Sequence, residues 1–302
     1  MSTGRRRRRR RFTFAVAGAL LALVMAGGRL RATPAIEPTM TGRALDGTVR
    51  PVPSTWPLAF SDGFDGQRVA PGRWNDCHWW AVDGGCTIAT NNELEWYRPG
   101  NVSVSGGRLR LEARPEHVEV PDGRRFEYTS GMVTTGPAYS VEGRPARYTF
   151  TYGYVEARLK IPTGTGLWPA FWLLPADEDS TPEIDVLETI NDDTTAARFH
   201  LHYRQGTAYR SLGHTFRGPD LAQGWHRFAV EWRPHRITWI VDGRARWQVT
   251  GDLVPDEPMY LVLNLAVGGD YPGPPDATTT FPAAVKADWI RVWQPPWSTD
   301  PA

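Results

Sequence analysis

The chain has 302 residues, 41% of them hydrophobic, and a formal net charge of +1. That length allows one large domain or two small ones, with a sizeable core. Residues 1–28 hold seven arginines and no acid, so without them the formal charge falls from +1 to −6, which disfavours nucleic acid and anionic membrane as partners.

In chain order, Arg5–Arg11 precede the apolar run "FTFAVAGALLALVMAGG", which ends in small residues. A basic leader, a short apolar segment and a small-residue exit predict a secretory signal peptide over residues 1–28 and a secreted, extracellular protein. An uncleaved membrane anchor is the alternative, although the run falls short of the roughly 20 residues that span a bilayer. Residues 29–57, rich in Pro, Thr and Ala without periodicity, read as a linker. From residue 58 to residue 297 the texture is that of one domain. Cys77 and Cys86 flank "HWWAVDGG". In an exported chain two cysteines this close most simply form a disulfide, with two free thiols as the alternative.

The domain is predicted to be all-β. "NVSVSGGRLRLEARP" reads as a hairpin turning at Gly106-Gly107, and "RITWIVDGRARWQVT" as another turning at Asp242-Gly243. "YGYVEARLKI", "RFHLHYR", "HRFAVEWRP", "MYLVLNLAV" and "ADWIRVWQ" are further strand candidates. No long amphipathic helix is evident, and "FPAAVKADW" offers a turn at most. Many short strands at regular spacing predict a sandwich or jelly roll. Of the fourteen tryptophans, Trp232, Trp239 and Trp289 are expected in the core. Trp168 and Trp172, in "GLWPAFWLLP", are candidates to line a surface and stack on the apolar face of a sugar.

"PEIDVLETI" carries three acids among large apolar residues. On a strand, Glu183 and Asp185 share one face, but strict alternation puts Glu188 on the other. A β-bulge, which adds one residue and resets the alternation, would return Glu188 to the acid face. A retaining glycosidase holds its two carboxyls roughly 5–5.5 Å apart, so the strand must also bend. Close carboxylates raise one another's pKa, which lets one remain protonated as general acid while another is ionised as nucleophile. A solvated strand edge or a calcium site would also place acids at alternate positions.

The surrounding motifs resemble glycoside hydrolase family 16, the family of laminarinases and related endo-glycanases. They are "FSDGFDG", "NNELEWY", "YTSGMVTT", "YGYVEARLKIP", "GLWPAFWLLP", "EIDVLE", "HLHY", "WHRFAVEW", "PMYLVLNLAVGG" and "ADWIRVWQ", in that order along nearly the whole domain. The resemblance implies a concanavalin A-like jelly-roll sandwich of two antiparallel sheets. It also implies endo-hydrolysis with retention, most simply of β-1,3-glucan. By motif position Glu183 is similar to the nucleophile, Glu188 to the general acid/base and Asp185 to the assisting residue. Trp168, Trp172, His202 and Asn92 match cleft residues that bind substrate. Gly63 stands where relatives often carry an acid that helps to bind a structural calcium, while Asp288 keeps another possible ligand position; no cofactor is required for catalysis. The expected partner is a polysaccharide, met by a monomer. Another β-glucan or galactan as substrate, or a carbohydrate-binding protein without activity, are the alternatives; binders usually lack one or both glutamates.

Overall fold

Alternating apolar segments separated by turn residues fold into two sheets in the computed structural model, which describes residues 39–48, 52, 54–80, 86–120, 123–138 and 144–298. The expected leader lies outside them. The larger sheet runs in the order β1 (Met40–Thr48), β15 (Arg244–Gly251), β14 (Arg236–Val241), β13 (His226–Arg233), β8 (Gly153–Lys160), β17 (Ala283–Trp293), β5 (Leu109–Glu119), β6 (Arg125–Ser130), β3 (Glu95–Tyr97). Two short strands join it, β2 (Leu58–Asp62) on β17 and β4 (Val102–Val104) on β5. The smaller sheet runs β12 (Ala208–Arg217), β11 (Ala196–Gln205), β10 (Glu183–Glu188), β9 (Leu167–Pro175), β16 (Met259–Val267), β7 (Met132–Thr134). Among the described residues the strand pairings are antiparallel except β3 on β6. This is the all-β jelly-roll sandwich expected from the strand pattern.

Both hairpins form where the sequence places them. β4 pairs with β5 across Gly106 (φ 58°) and Gly107 (φ 69°), and β14 with β15 across Asp242 (φ 51°) and Gly243 (φ 75°). Positive φ at both central residues matches the right-handed twist of the flanking strands and favours Gly and Asp there. The core lies between the sheets. Phe171, Leu173, Ile184, Phe199 and Leu201 of the smaller sheet meet Val155, Val230, Trp232, Trp239 and Val292 of the larger one, all buried.

Three expectations need correction. The segment expected as linker contains β1, which pairs with β15 as an edge strand; its exposed, polar residues carry almost no apolar alternation for a reader to detect. "FPAAVKADW" forms no helical turn but opens β17, whose Ala283, Val285 and Ala287 alternate into the core. Trp289 is not a core residue. The register shifts between Ala287 and Trp289, so the inward set resumes at Ile290 and Val292, and Trp289 lies outward beneath the Arg291 guanidinium, 4.5 Å from its ring.

Candidate active site

β10 lies inside the smaller sheet, between β9 and β11. Asp185 stands opposite Trp172 on β9 and His200 on β11, and the register then shifts on both sides before Glu188. The bulge sends Val186 and Leu187, two consecutive residues, into the core with Ile184. Glu183, Asp185 and Glu188 all reach the outer face, where they line a cleft of about 750 Å³. A side chain of the opposite sheet supports the irregular stretch: Trp239 Nε1 donates to the backbone carbonyl of Asp185 at 2.7 Å. Its indole thus satisfies a buried acceptor at the start of the bulge.

Each acid has a distinct surrounding. Glu188 is 6% exposed, and both its oxygens are engaged. Trp168 Nε1 donates to Oε1 at 2.9 Å, and His200 Nδ1 lies 2.6 Å from Oε2. Asp185 is 3% exposed, with Oδ2 3.3 Å from His202 Nε2. The Glu183 side chain is 25% exposed, and its Oε1 lies 3.8 Å from the same His202 nitrogen. Tyr209 hydrogen-bonds the other nitrogen of that ring. Burial, then the charge of Asp185, pushes the Glu183 carboxyl well above the usual carboxylate range. Burial, then the charge of Glu188, does the same to Asp185. Three carboxyls in one partly desolvated cleft resist full ionisation, so the array retains protons that isolated acids would release.

The aromatic wall is held from behind. Trp172 Nε1 donates to Asn264 Oδ1 at 2.8 Å, and Asn264 Nδ2 donates to the Tyr97 hydroxyl at 2.9 Å, which fixes the indole plane at the cleft floor. Trp168 packs edge-on against Tyr271, which is 48% exposed. Trp79 and Trp80, next to the Cys77–Cys86 disulfide, complete that side of the cleft.

Glu183, Asp185, Glu188, Trp168, Trp172 and His202 therefore share one cleft. Asn92 does not join them. It follows a 3₁₀ turn with φ 54°, and its amide is taken by both oxygens of the Asp270 carboxylate, each at 3.0 Å. That left-handed turn brings Asn92 to a separate small pocket, while its neighbours Asn91 and Glu93 line the main cleft. His200, Asn264, Tyr209 and Tyr271 were not among the predicted residues. For His200 a signal existed, since on a strand it shares a face with His202, two residues on.

Asp288 does not suit calcium. Its carboxylate lies 2.5 Å from Arg158 and 3.8 Å from Arg108, an ion pair that a cation would have to displace. Asp62 is committed as well, accepting from the Phe64 amide and the Trp74 indole at 2.8 Å each, and Gly63 offers no side chain. Calcium requires six to eight oxygen ligands, and this donor set supplies an ion pair instead. In the cleft, Asp185, His200 and His202 each place a ligand atom within 4.8 Å of the others. The Nδ1 atoms of the two rings are bonded to Glu188 and Tyr209, which ties the group into the hydrogen-bonded array around the acids.

The sequence profile of a family described as "Glycosyl hydrolases family 16" matches residues 97–291. The chain is similar to the endo-1,3-1,4-beta-glycanase EglC of Rhizobium meliloti (strain 1021), with 32% identity over 247 residues covering 78% of this chain and 51% of the relative. It thus spans about half the length of that protein. A beta-glucanase of Rhodothermus marinus is 32% identical over 267 residues, 79% of this chain and 85% of the relative. Among solved structures, the catalytic domain of an endo-1,3-beta-glucanase (laminarinase) from Thermotoga petrophila RKU-1 superposes with a TM-score of 0.69 at 33% identity, covering 79% of this chain and 98% of that one.

Proposed function

Because this chain belongs to glycosyl hydrolase family 16, we propose that it is a secreted, retaining endo-β-glucanase whose principal substrate is β-1,3-glucan. The observation that carries this proposal is the bulge in β10, which puts two glutamates and an aspartate on one aromatic-walled cleft. In the first step an oxygen of Glu183 attacks the anomeric carbon while Glu188 protonates the departing sugar oxygen. In the second, Glu188 takes a proton from water, and that water releases the sugar from Glu183 with net retention.

Burial and the charge of Asp185 raise Glu183, whereas a nucleophile must be ionised, so the placement of the array's proton decides the roles. The hydrogen bond between the two acids favours the proton on Glu183 in the free site, but Asp185 is the deeper of the two and gains least from water, so we place the proton there when Glu183 attacks. Glu183 is then left as a carboxylate, with a neutral donor beside it and His202 close by. Trp168 and Trp172 line the cleft and offer aromatic surface to the sugar chain.

Mixed-linkage β-1,3-1,4-glucan is the second reading, favoured by the relative named endo-1,3-1,4-beta-glycanase. Export through the basic leader agrees with the Cys77–Cys86 disulfide, and among the described residues no helix is long and apolar enough to cross a membrane. We take the polysaccharide as the partner and the monomer as the active form. The test is a product screen on laminarin, lichenan, xyloglucan, agarose and β-galactan, run beside Glu183→Gln. Oligosaccharides from laminarin, abolished in the variant while binding persists, are expected. Cleavage of galactan alone, or undiminished turnover by the variant, would refute the proposal.

A further inference from the structure

Glu188 has an unusually complete set of neighbours for a group that must gain and lose a proton in every cycle. An indole N–H only donates, so the oxygen facing Trp168, Oε1, acts as acceptor. A proton on Oε2 lies in the 2.6 Å contact with His200 Nδ1, where either group can hold it. The opposite edge of the imidazole rests on β12, directly over Gly213, its register partner. A Cβ at Gly213 would fall 2.5 Å from His200 Cδ2 and 2.8 Å from Nε2, so a residue without a side chain makes room for this ring. The other charged or titratable groups facing His200 are Asp185 on β10 and His202 on its own strand, at 5.5 Å between ring centroids. Arg198, also on β11, is turned to Asp193 at 2.9 Å. β12 presents Gly213 at this point, and β9 contributes the uncharged Trp168.

We infer that His200 and Glu188 work as one proton-sharing pair, with His200 as a positioning residue that holds and restores the proton of the acid/base. The inference rests on the role given to Glu188 under Proposed function. The free pair holds a single proton, written either as carboxyl and neutral imidazole or as carboxylate and imidazolium. When the glycosidic C–O bond breaks, its electron pair stays on the departing oxygen, which takes the proton from Glu188 as Glu183 bonds to the anomeric carbon. The pair is then carboxylate and neutral imidazole. When water attacks, its oxygen bonds to that carbon, the ester electrons return to Glu183, and the water proton goes to Glu188. The pair is restored with no other reactant consumed. Burial alone would lower the His200 pKa, but the hydrogen bond and charge of Glu188, with the charge of Asp185, outweigh it and raise it. A raised imidazole keeps the pair's proton available at higher pH than an ordinary histidine would.

Two measurements test this. The first is the pH profile of kcat/KM for wild type and His200→Gln, on laminarin and on a dinitrophenyl β-laminaribioside whose leaving group needs no acid. Glutamine keeps a hydrogen-bond donor but does not titrate. The basic limb, which reports the essential acid of the free enzyme, should move down by about one pH unit or more on laminarin. The loss in kcat near neutrality should be about tenfold there and much smaller on the aryl glycoside. An unchanged basic limb, or equal losses on both substrates, would overturn the inference. The second is an NMR titration of ring-labelled histidines in wild type and Glu188→Gln, which needs no activity. His200 should titrate at least about one pH unit lower in the variant, and identical titrations would again overturn the pairing. A wild-type chain inert on every β-glucan would instead strike at the proposed function, with the titration still deciding whether the two side chains share a proton.

Discussion

His78, next to Cys77, shows how far one residue can depart from its solution chemistry. Its ring is 1% exposed, stacks on Trp80 at 4.0 Å between centroids, and has no hydrogen-bond partner for either nitrogen among the described residues. Burial therefore lowers its pKa to about 3. The sign follows by linkage. The unfolded chain takes up a proton near pH 6.5 that the folded chain refuses until about pH 3, so this contribution to stability is complete above pH 6.5 and lost as pH falls toward 3. At pH 4 the loss amounts to roughly 3 kcal/mol. Replacing His78 by Phe, which keeps a ring against Trp80, should flatten the fall in melting temperature between pH 6.5 and pH 4. Denaturation curves at those pH values check it; parallel curves for the two proteins would refute it. At this scale the sequence is only partly legible. The acids of β10 are visible because three carboxylates interrupt an apolar run. His78 is indistinguishable from any loop histidine, because its burial depends on partners distant in the chain, such as Trp172 and Tyr97.

β10 is the element on which the site depends. Alternation and the position of Glu188 are enough to demand a bulge, and the register shifts where that reasoning puts it. What sequence could not supply is the bond that supports it, because Trp239 lies 54 positions away on the other sheet. β12 leaves little trace in the sequence for a related reason: it is an edge strand, largely exposed, and so lacks the apolar alternation that marks inner strands. Trp239→Phe keeps most of the ring and removes the donor. It leaves the Asp185 carbonyl buried and unpaired, which should cost about 1–3 kcal/mol and several degrees of melting temperature. Because the freed carbonyl belongs to the catalytic strand, kcat should fall more than KM rises. A variant of lower stability but unchanged kcat would show that the bond serves the fold and not the site.

At the scale of the molecule, both sheets supply the core, and the smaller sheet carries the acid-lined cleft on its outer face. Asp288, on the larger sheet, pairs with Arg158 and Arg108. A bound calcium at a hundred times its Kd would add about 2.7 kcal/mol. Calorimetry with EDTA and then with millimolar calcium should instead give melting temperatures within about 1 °C of each other; a rise of several degrees with calcium would contradict this. The most direct measurement concerns the covalent step. A 2-deoxy-2-fluoro laminaribioside with a dinitrophenyl leaving group should inactivate the wild-type chain, and mass spectrometry of its peptides should find one added sugar, on Glu183. A label on Glu188 or Asp185, or turnover with no ester accumulating and inverted product, would contradict the assignment of nucleophile and acid/base made from the bulged strand.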